Sequence, residues 1–236
     1  MKKFFLFACM LFFLVGCSEK MTNVLKSCPD AEIDWVDVLM IGEIQYEHHY
    51  PDRADEAAPV VIEAGNEIGR VTYRMADRAC SNHKMKNGDA TFLTEGTPIF
   101  EVNGYPASLL VSANNKVYVA THNQNAESAS DLYPFKNLVS NIYFQSLEDG
   151  SRIFTFPESA KEQFIDAWDE LALEDREELI NKGQLEGTRV FLAFELHNGV
   201  TFRQLYWADT NTFHTGVIGN KHLKDIITQE LNNMKK

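Results

Sequence analysis

The sequence is short of basic residues, and this shortage excludes nucleic acid as a partner. It contains 22 Lys and Arg against 34 Asp and Glu, which gives a net charge of −12. Removal of an N-terminal segment that holds Lys2 and Lys3 would take away two positive charges and change the net charge to −14. Phosphate contacts need clustered Lys and Arg, and attraction to anionic lipid headgroups needs the same charge. We therefore expect neither nucleic-acid binding nor electrostatic docking to a membrane surface.

Short catalytic motifs are also absent. The sequence has no Gly-x-Ser-x-Gly, His-Glu-x-x-His or Cys-x-x-Cys, so the spacing indicates no nucleophile and no metal pair. A catalytic site assembled from distant residues stays open as an alternative. We favour a protein without catalytic activity, and the sequence indicates no cofactor.

The apolar run at the N terminus is too short to cross a bilayer. It begins at Phe4, ends at Leu14 and follows Lys2 and Lys3, whereas a spanning helix needs about 20 apolar residues. A basic start, a short apolar core and a small residue before the cleavage point are typical of a secretory signal peptide. Residues 1–16 are therefore predicted to be a signal peptide.

The end of this run, Leu14-Val15-Gly16-Cys17, resembles the lipobox of bacterial lipoproteins. The resemblance implies that the chain is cut before Cys17 and that the Cys17 thiol carries diacylglycerol with fatty acyl chains such as palmitate. Two acyl chains give stable membrane anchoring. Residues 17–32 are then the lipidated N terminus and tether, and the protein is expected at the cell membrane, facing outside the cytoplasm.

Two cysteines remain after this processing. Of the four in the sequence, Cys9 is removed and Cys17 is acylated, which leaves Cys28 and Cys80. An extracytoplasmic compartment permits disulfides, so the two cysteines either form a disulfide or stay as two buried, unpaired thiols.

The fold class is predicted to be α+β with two domains. Residues 33–121 contain short, alternating apolar segments whose connectors include Asn103-Gly104 and Asn114-Asn115. Such residues tolerate the positive φ of hairpin turns, so this half is predicted to be a β-rich antiparallel meander. The small, polar residues 122–137 are interpreted as a linker. Residues 138–236 alternate hairpins and amphipathic helices and predict helices packed on an antiparallel sheet.

Two groups of residues are weak candidates for metal ligands. His48 and His49 lie beside several carboxylates, but adjacent strand residues point to opposite faces, so they reach one ion only if the strand has ended. Cys80 and His83 have a spacing that suits two zinc ligands, although no second such pair occurs. A strand end and an ordinary loop are the simpler interpretations of the two groups.

Two further segments resemble a group of uncharacterised lipoproteins from Gram-positive, spore-forming bacteria of the Bacillus type. They run from Asp37 to Tyr46, and from Ile68 to Val71 and on through Gly88 to Tyr105. Together with the signal peptide, the resemblance covers about residues 36–121. It implies an extracytoplasmic lipoprotein on the outer face of the plasma membrane, and it carries over no site residue.

These observations favour a lipid-anchored, non-catalytic module that binds a protein or another component of the cell envelope. The alternative is capture of a small ligand or a metal, with the His48/His49 and Cys80/His83 regions as candidate ligands. An envelope hydrolase is a third possibility, which needs two carboxylates that face a cleft.

Overall fold

The computed structural model describes residue 28, residues 34–50 and residues 59–235. The predicted signal peptide, Cys17 with its predicted lipid, and the predicted tether apart from Cys28 lie outside the described residues.

Thirteen strands and five helices lie in the part of the chain that the structure describes. The strands are β1 Val38–Ile41, β2 Ile44–His48, β3 Ala64–Arg70, β4 Tyr73–Arg74, β5 Asp89–Ala90, β6 Pro98–Val102, β7 Leu110–Ala113, β8 Lys116–Asn123, β9 Val139–Gln145, β10 Arg152–Thr155, β11 Arg189–Leu196, β12 Thr201–Trp207 and β13 Thr212–Phe213. The helices are α1 Met75–Arg78, α2 Ala129–Leu132, α3 Glu158–Asp169, α4 Arg176–Asn181 and α5 Lys221–Met234. The chain is therefore a strand-rich protein of mixed α and β content.

The first sheet has eight strands in the order β3-β6-β7-β8-β2-β1-β5-β4. Its pairs are antiparallel except for the short parallel pair of β4 and β5. The predicted meander is present as β6, β7 and β8, and Asn114 and Asn115 turn between the last two with φ of 50° and 59°. Asparagine tolerates this left-handed backbone because its short side chain bonds locally.

The second sheet has five strands in the order β10-β9-β11-β12-β13. The hairpin of β11 and β12 turns through His197-Asn198-Gly199, as the sequence predicts, with Gly199 at φ 82°. Helices α3 and α5 pack against each other. Their predicted apolar stripes are buried, including Phe164 and Trp168 on α3 and Ile227 on α5.

One apolar core is shared by strands of both sheets. Its buried members include Val117 and Val119 from β8, Phe194 from β11 and Trp168 from α3. Tyr133, in the segment predicted as a linker, is also part of this core. The predicted division into two domains at residues 122–137 is therefore not confirmed. A second, smaller core lies within the first sheet and includes Leu39, Tyr46 and Tyr118.

Residues 79–84 form a separate compact unit with Cys28 and Asp34. A disulfide joins Cys28 to Cys80, whose Cα atoms are 5.0 Å apart, a separation that suits such a bond. Within the same unit the His83 N–H donates to the Cys80 carbonyl oxygen at 2.9 Å.

Candidate functional site

The structure does not bring the predicted metal candidates together. The sulfur of Cys80 is bonded to Cys28, which removes the thiolate that a zinc site with His83 needs. Strand β2 ends at His48, and the imidazole of His49 is engaged elsewhere, because its Nε2 accepts the Thr201 N–H at 3.1 Å. Within the described ranges, no group of three or more His, Cys, Asp or Glu residues could hold a metal ion.

His48 instead belongs to a buried polar cluster around Asp37. This carboxylate is 2% exposed and accepts from Lys116 Nζ at 2.6 Å and from the Tyr118 hydroxyl at 3.3 Å. His48 Nδ1 lies 3.6 Å from Asp37 Oδ2. Desolvation and the positive charge of Lys116 lower the pKa of His48, while Asp37 acts in the opposite direction. Sequence reasoning missed Asp37, because nothing in its own segment indicates the partners.

A groove lies where strands of the two sheets face each other. It consists of two adjoining cavities of about 490 and 1130 Å³. The residues that line both cavities are Glu47, Thr121, Tyr133, Arg203 and Gln204. The smaller volume lies within the range of about 300–1,000 Å³ that is typical of ligand sites, and the larger one lies slightly above it. Of these five residues, the sequence indicates only Glu47, as one of the carboxylates beside His48 and His49, because the positions of the five along the chain are far apart.

The groove follows β2 on one side and β12 on the other. His49 and Thr201 line the smaller cavity, and Gln45 and Leu205 line the larger one. The two strands therefore run in opposite directions along the groove. Glu47 of β2 and Arg203 of β12 line both cavities and lie at the middle of the groove.

Tyr133 holds the wall of this groove in place. Its hydroxyl donates to the Ala120 carbonyl oxygen at 3.0 Å and accepts from Gln204 Nε2 at 3.0 Å, so it links β8 to β12. Its own carbonyl oxygen accepts from Trp168 Nε1 at 3.1 Å. Because every one of these groups is satisfied inside the protein, the spacing of β8 and β12 is fixed.

Glu47 and Arg203 are opposite charges that are near each other but not paired. Desolvation in the groove raises the pKa of Glu47 above its usual value, and the charge of Arg203 partly opposes this. Within the described part of the chain, neither residue forms an ion pair within 4.0 Å. The guanidinium of Arg203 lies over the ring of Phe191, 4.7 Å from its centroid.

Strand β12 also has an open edge in the groove. Leu196 N–H donates to the Val200 carbonyl oxygen at 2.8 Å at the hairpin turn, and Phe202 and Arg203 pair in register with Phe194 and Ala193. Backbone groups alternate in direction along an antiparallel strand. Those of Phe202 therefore point to β11, and those of Arg203 point to the opposite edge of β12.

Only part of this opposite edge is covered. Strand β13 pairs with Tyr206 and Trp207, and the His214 N–H donates to the Leu205 carbonyl oxygen at 2.8 Å. At the other end, Thr201 N–H is bound by His49. Between these closures, the N–H and C=O of Arg203 have no hydrogen-bond partner among the residues described.

Comparison of the chain with protein-family models, curated proteins and solved structures finds no match. The resemblance to Bacillus-type lipoproteins therefore stays a prediction. Among the described helices, none is both long enough and apolar enough to cross a membrane.

Proposed function

We propose that this chain is a lipid-anchored, extracytoplasmic protein whose groove between β2 and β12 binds a partner from the cell envelope without catalysis. The observation that carries the binding function is the groove itself, in which hydrogen-bonding and charged groups converge on a rigid wall. The preformed geometry favours binding, because little conformational entropy is lost when a ligand enters.

Two independent features support the cellular location. The Leu14-to-Cys17 sequence has the layout of a lipobox, and the disulfide between Cys28 and Cys80 suits an oxidising compartment. The anchor is tested by metabolic labelling with a palmitate analogue. Native protein is expected to be labelled and to fractionate with membranes, whereas the Cys17→Ala variant is expected to lose both properties. Unchanged fractionation of that variant would contradict the proposed anchor.

Partner binding is tested by photo-crosslinking in cells. A photoreactive amino acid in place of Thr121 lies in the groove, whereas the same amino acid in place of Glu162, on the exposed face of α3, lies outside it. We expect an adduct of constant mass from position 121 and none from position 162. Equal labelling from both positions, or none from either, would contradict the groove as the binding surface.

Capture of a small ligand is the second candidate, and the volume of the larger cavity supports it. Native mass spectrometry of protein purified without tags or chelators distinguishes the candidates. A stoichiometric added mass below that of a protein supports the small ligand, and elemental analysis of the same sample reports any metal.

A further inference from the structure

We propose that the open edge of β12 at Arg203 binds an extended peptide segment that carries a basic side chain. This inference rests on the proposed binding function and names the chemistry of its partner. The peptide lies in the groove as a short additional strand, and its backbone bonds to the N–H and C=O of Arg203. Strand addition of this kind is a recurrent mode of peptide recognition.

The backbone of Arg203 provides the first argument. An N–H and a C=O on a sheet edge form a ready template for another strand. Here these groups lie on the part of β12 that lines both cavities. His49 closes the edge at Thr201, and His214 closes it at Leu205. The open stretch between these closures therefore holds three residues and is about 10 Å long at the rise of a β-strand, which suits a segment of about three residues.

The shape of the groove provides the second argument. Its long axis follows β12, because the smaller cavity is reached at Thr201 and the larger at Leu205. An added strand has the same direction. The links from Tyr133 to Ala120 and Gln204 keep β8 and β12 apart before any ligand enters. A bound peptide consequently meets a wall on the β12 side whose position relative to β8 is already set.

Charge decides the class of side chain. Glu47 lies opposite Arg203, and the larger cavity is lined by four carboxylates, Glu47, Glu174, Asp175 and Glu177, against the two guanidinium groups of Arg176 and Arg203. The excess of acidic residues in the whole chain adds a field that attracts cations. A lysine or arginine side chain on the peptide offsets the charge of Glu47, which is exposed to the groove, whereas an acidic side chain meets the net negative charge of this lining.

The first test uses blocked, fluorescently labelled pentapeptides and the full-length protein in detergent, with anisotropy as the measurement. Val-Lys-Val-Lys-Val is expected to bind, and Val-Glu-Val-Glu-Val to bind about tenfold more weakly, the cost of a lost charge-assisted bond. Two further Lys peptides carry N-methyl groups on either the odd or the even residues. Only one of these two patterns is expected to abolish binding, because alternate amides of a strand face β12.

The second test separates the backbone of Arg203 from its side chain. Arg203→Ala keeps the N–H and is expected to bind the Lys peptide at least as well as the native protein. Arg203→Pro removes the N–H at an edge position that tolerates proline, and it is expected to lose binding. Glu47→Gln is expected to weaken binding about tenfold, whereas the control Glu162→Gln, exposed on α3, is expected to leave it unchanged.

Three outcomes would overturn the inference. They are equal binding of the Lys and Glu peptides, indifference to both N-methyl patterns, and binding of a neutral oligosaccharide at the same groove in place of the peptides. The N-methyl peptides need no change to the protein, so a misfolded Arg203→Pro variant does not remove the test. If the Lys peptide does not bind while a photoreactive amino acid at position 121 still forms an adduct in cells, the proposed binding function stands. Only the inference that the partner is a basic, extended peptide is then wrong.

Discussion

His48 is the residue whose surroundings have the clearest consequence for pH. Its imidazole faces the Asp37 carboxylate, the Lys116 ammonium and the rings of Tyr50 and Tyr118. Desolvation and Lys116 lower its pKa in the folded protein, so the unfolded chain binds a proton more readily. Stability is therefore complete above the unfolded pKa of about 6.5 and declines as the pH falls below that value.

The His48→Gln variant is expected to lose part of this decline. Its free energy of unfolding, measured in urea at pH 7.5 and pH 5.5, should change less between the two values than that of the native protein. His214 also has a lowered pKa, because of desolvation and the nearby charge of Arg176, so some pH dependence should remain. In a double variant that combines His48→Gln with His214→Gln, the free energy of unfolding should change even less between pH 7.5 and pH 5.5. Identical pH dependence in native and His48→Gln proteins would contradict this account.

Tyr133 makes a second prediction at the scale of one residue. Tyr133→Phe keeps the ring but removes the hydroxyl that bonds to Ala120 and Gln204. A buried amide and a buried carbonyl then lack a partner, which costs about 1–3 kcal/mol. Urea unfolding measures the loss. The control Tyr50→Phe, at a side chain that is 64% exposed, should change stability by less than about 0.5 kcal/mol.

At the scale of elements, α5 depends on the residue that caps its N terminus. Asn220 precedes the helix, and its Oδ1 accepts the Leu223 N–H at 2.9 Å. Asn220→Ala leaves this donor without its cap, and we expect a loss of about 1 kcal/mol. Gln229→Ala, on the exposed face of the same helix, is the matched control and should be neutral or slightly stabilising, since alanine has the higher helix propensity. Thermal unfolding of both variants checks the difference.

Elements whose cause is local could be predicted from the sequence. The Asn114-Asn115 turn, the His197-to-Gly199 hairpin and the apolar stripe of α5 each follow from neighbouring residues, and the structure has all three. The run Thr155-Phe156-Pro157-Glu158 predicts a helix start with a hydroxyl cap, but in the structure Pro157 precedes α3 and makes no side-chain cap bond. Its ring presets the backbone angle that a helix start needs.

The polar stretch before Tyr133 shows what a local composition leaves out. Its small residues indicate a linker, yet Ser128 and Asp131 form a capping box that begins α2.

The groove was beyond prediction for a different reason. Glu47 and Arg203 face it from strands far apart in the chain, and the pairing of β2 with β8 is itself a long-range contact that no sequence pattern announces. The same holds for Asp37 and Lys116, which meet across 79 residues.

At the scale of the whole molecule, the shared core predicts cooperative unfolding. Residues from β8, β11 and α3 pack in one apolar cluster, so neither sheet keeps its buried surface without the other. Differential scanning calorimetry is expected to give one transition, with equal calorimetric and van't Hoff enthalpies. Two resolved transitions would instead support the two-domain division that the sequence suggested.

The disulfide is expected to contribute to stability as well. It joins cysteines that are 52 positions apart, and closing a loop of this size stabilises the folded state by about 4 kcal/mol on the chain-entropy estimate. The double variant Cys28→Ser with Cys80→Ser should show this loss in urea unfolding under oxidising conditions. Native protein treated with a reductant should have about the same free energy of unfolding as the double variant. Equal free energies of unfolding for the native protein and the double variant under oxidising conditions would contradict the estimate.

If Cys17 carries lipid as proposed, the same bond limits how far the chain can extend between that lipid and Cys28. Ten residues lie between Cys17 and Cys28, so a fully extended chain from one to the other spans at most about 40 Å. Once the disulfide is reduced, the next residue that the fold holds is Trp35, where the main compact unit begins. A fully extended chain from Cys17 to Trp35 spans at most about 65 Å. The redox state of the two cysteines thus determines whether Cys28 or Trp35 is the first residue that the fold holds, counted from the proposed lipid.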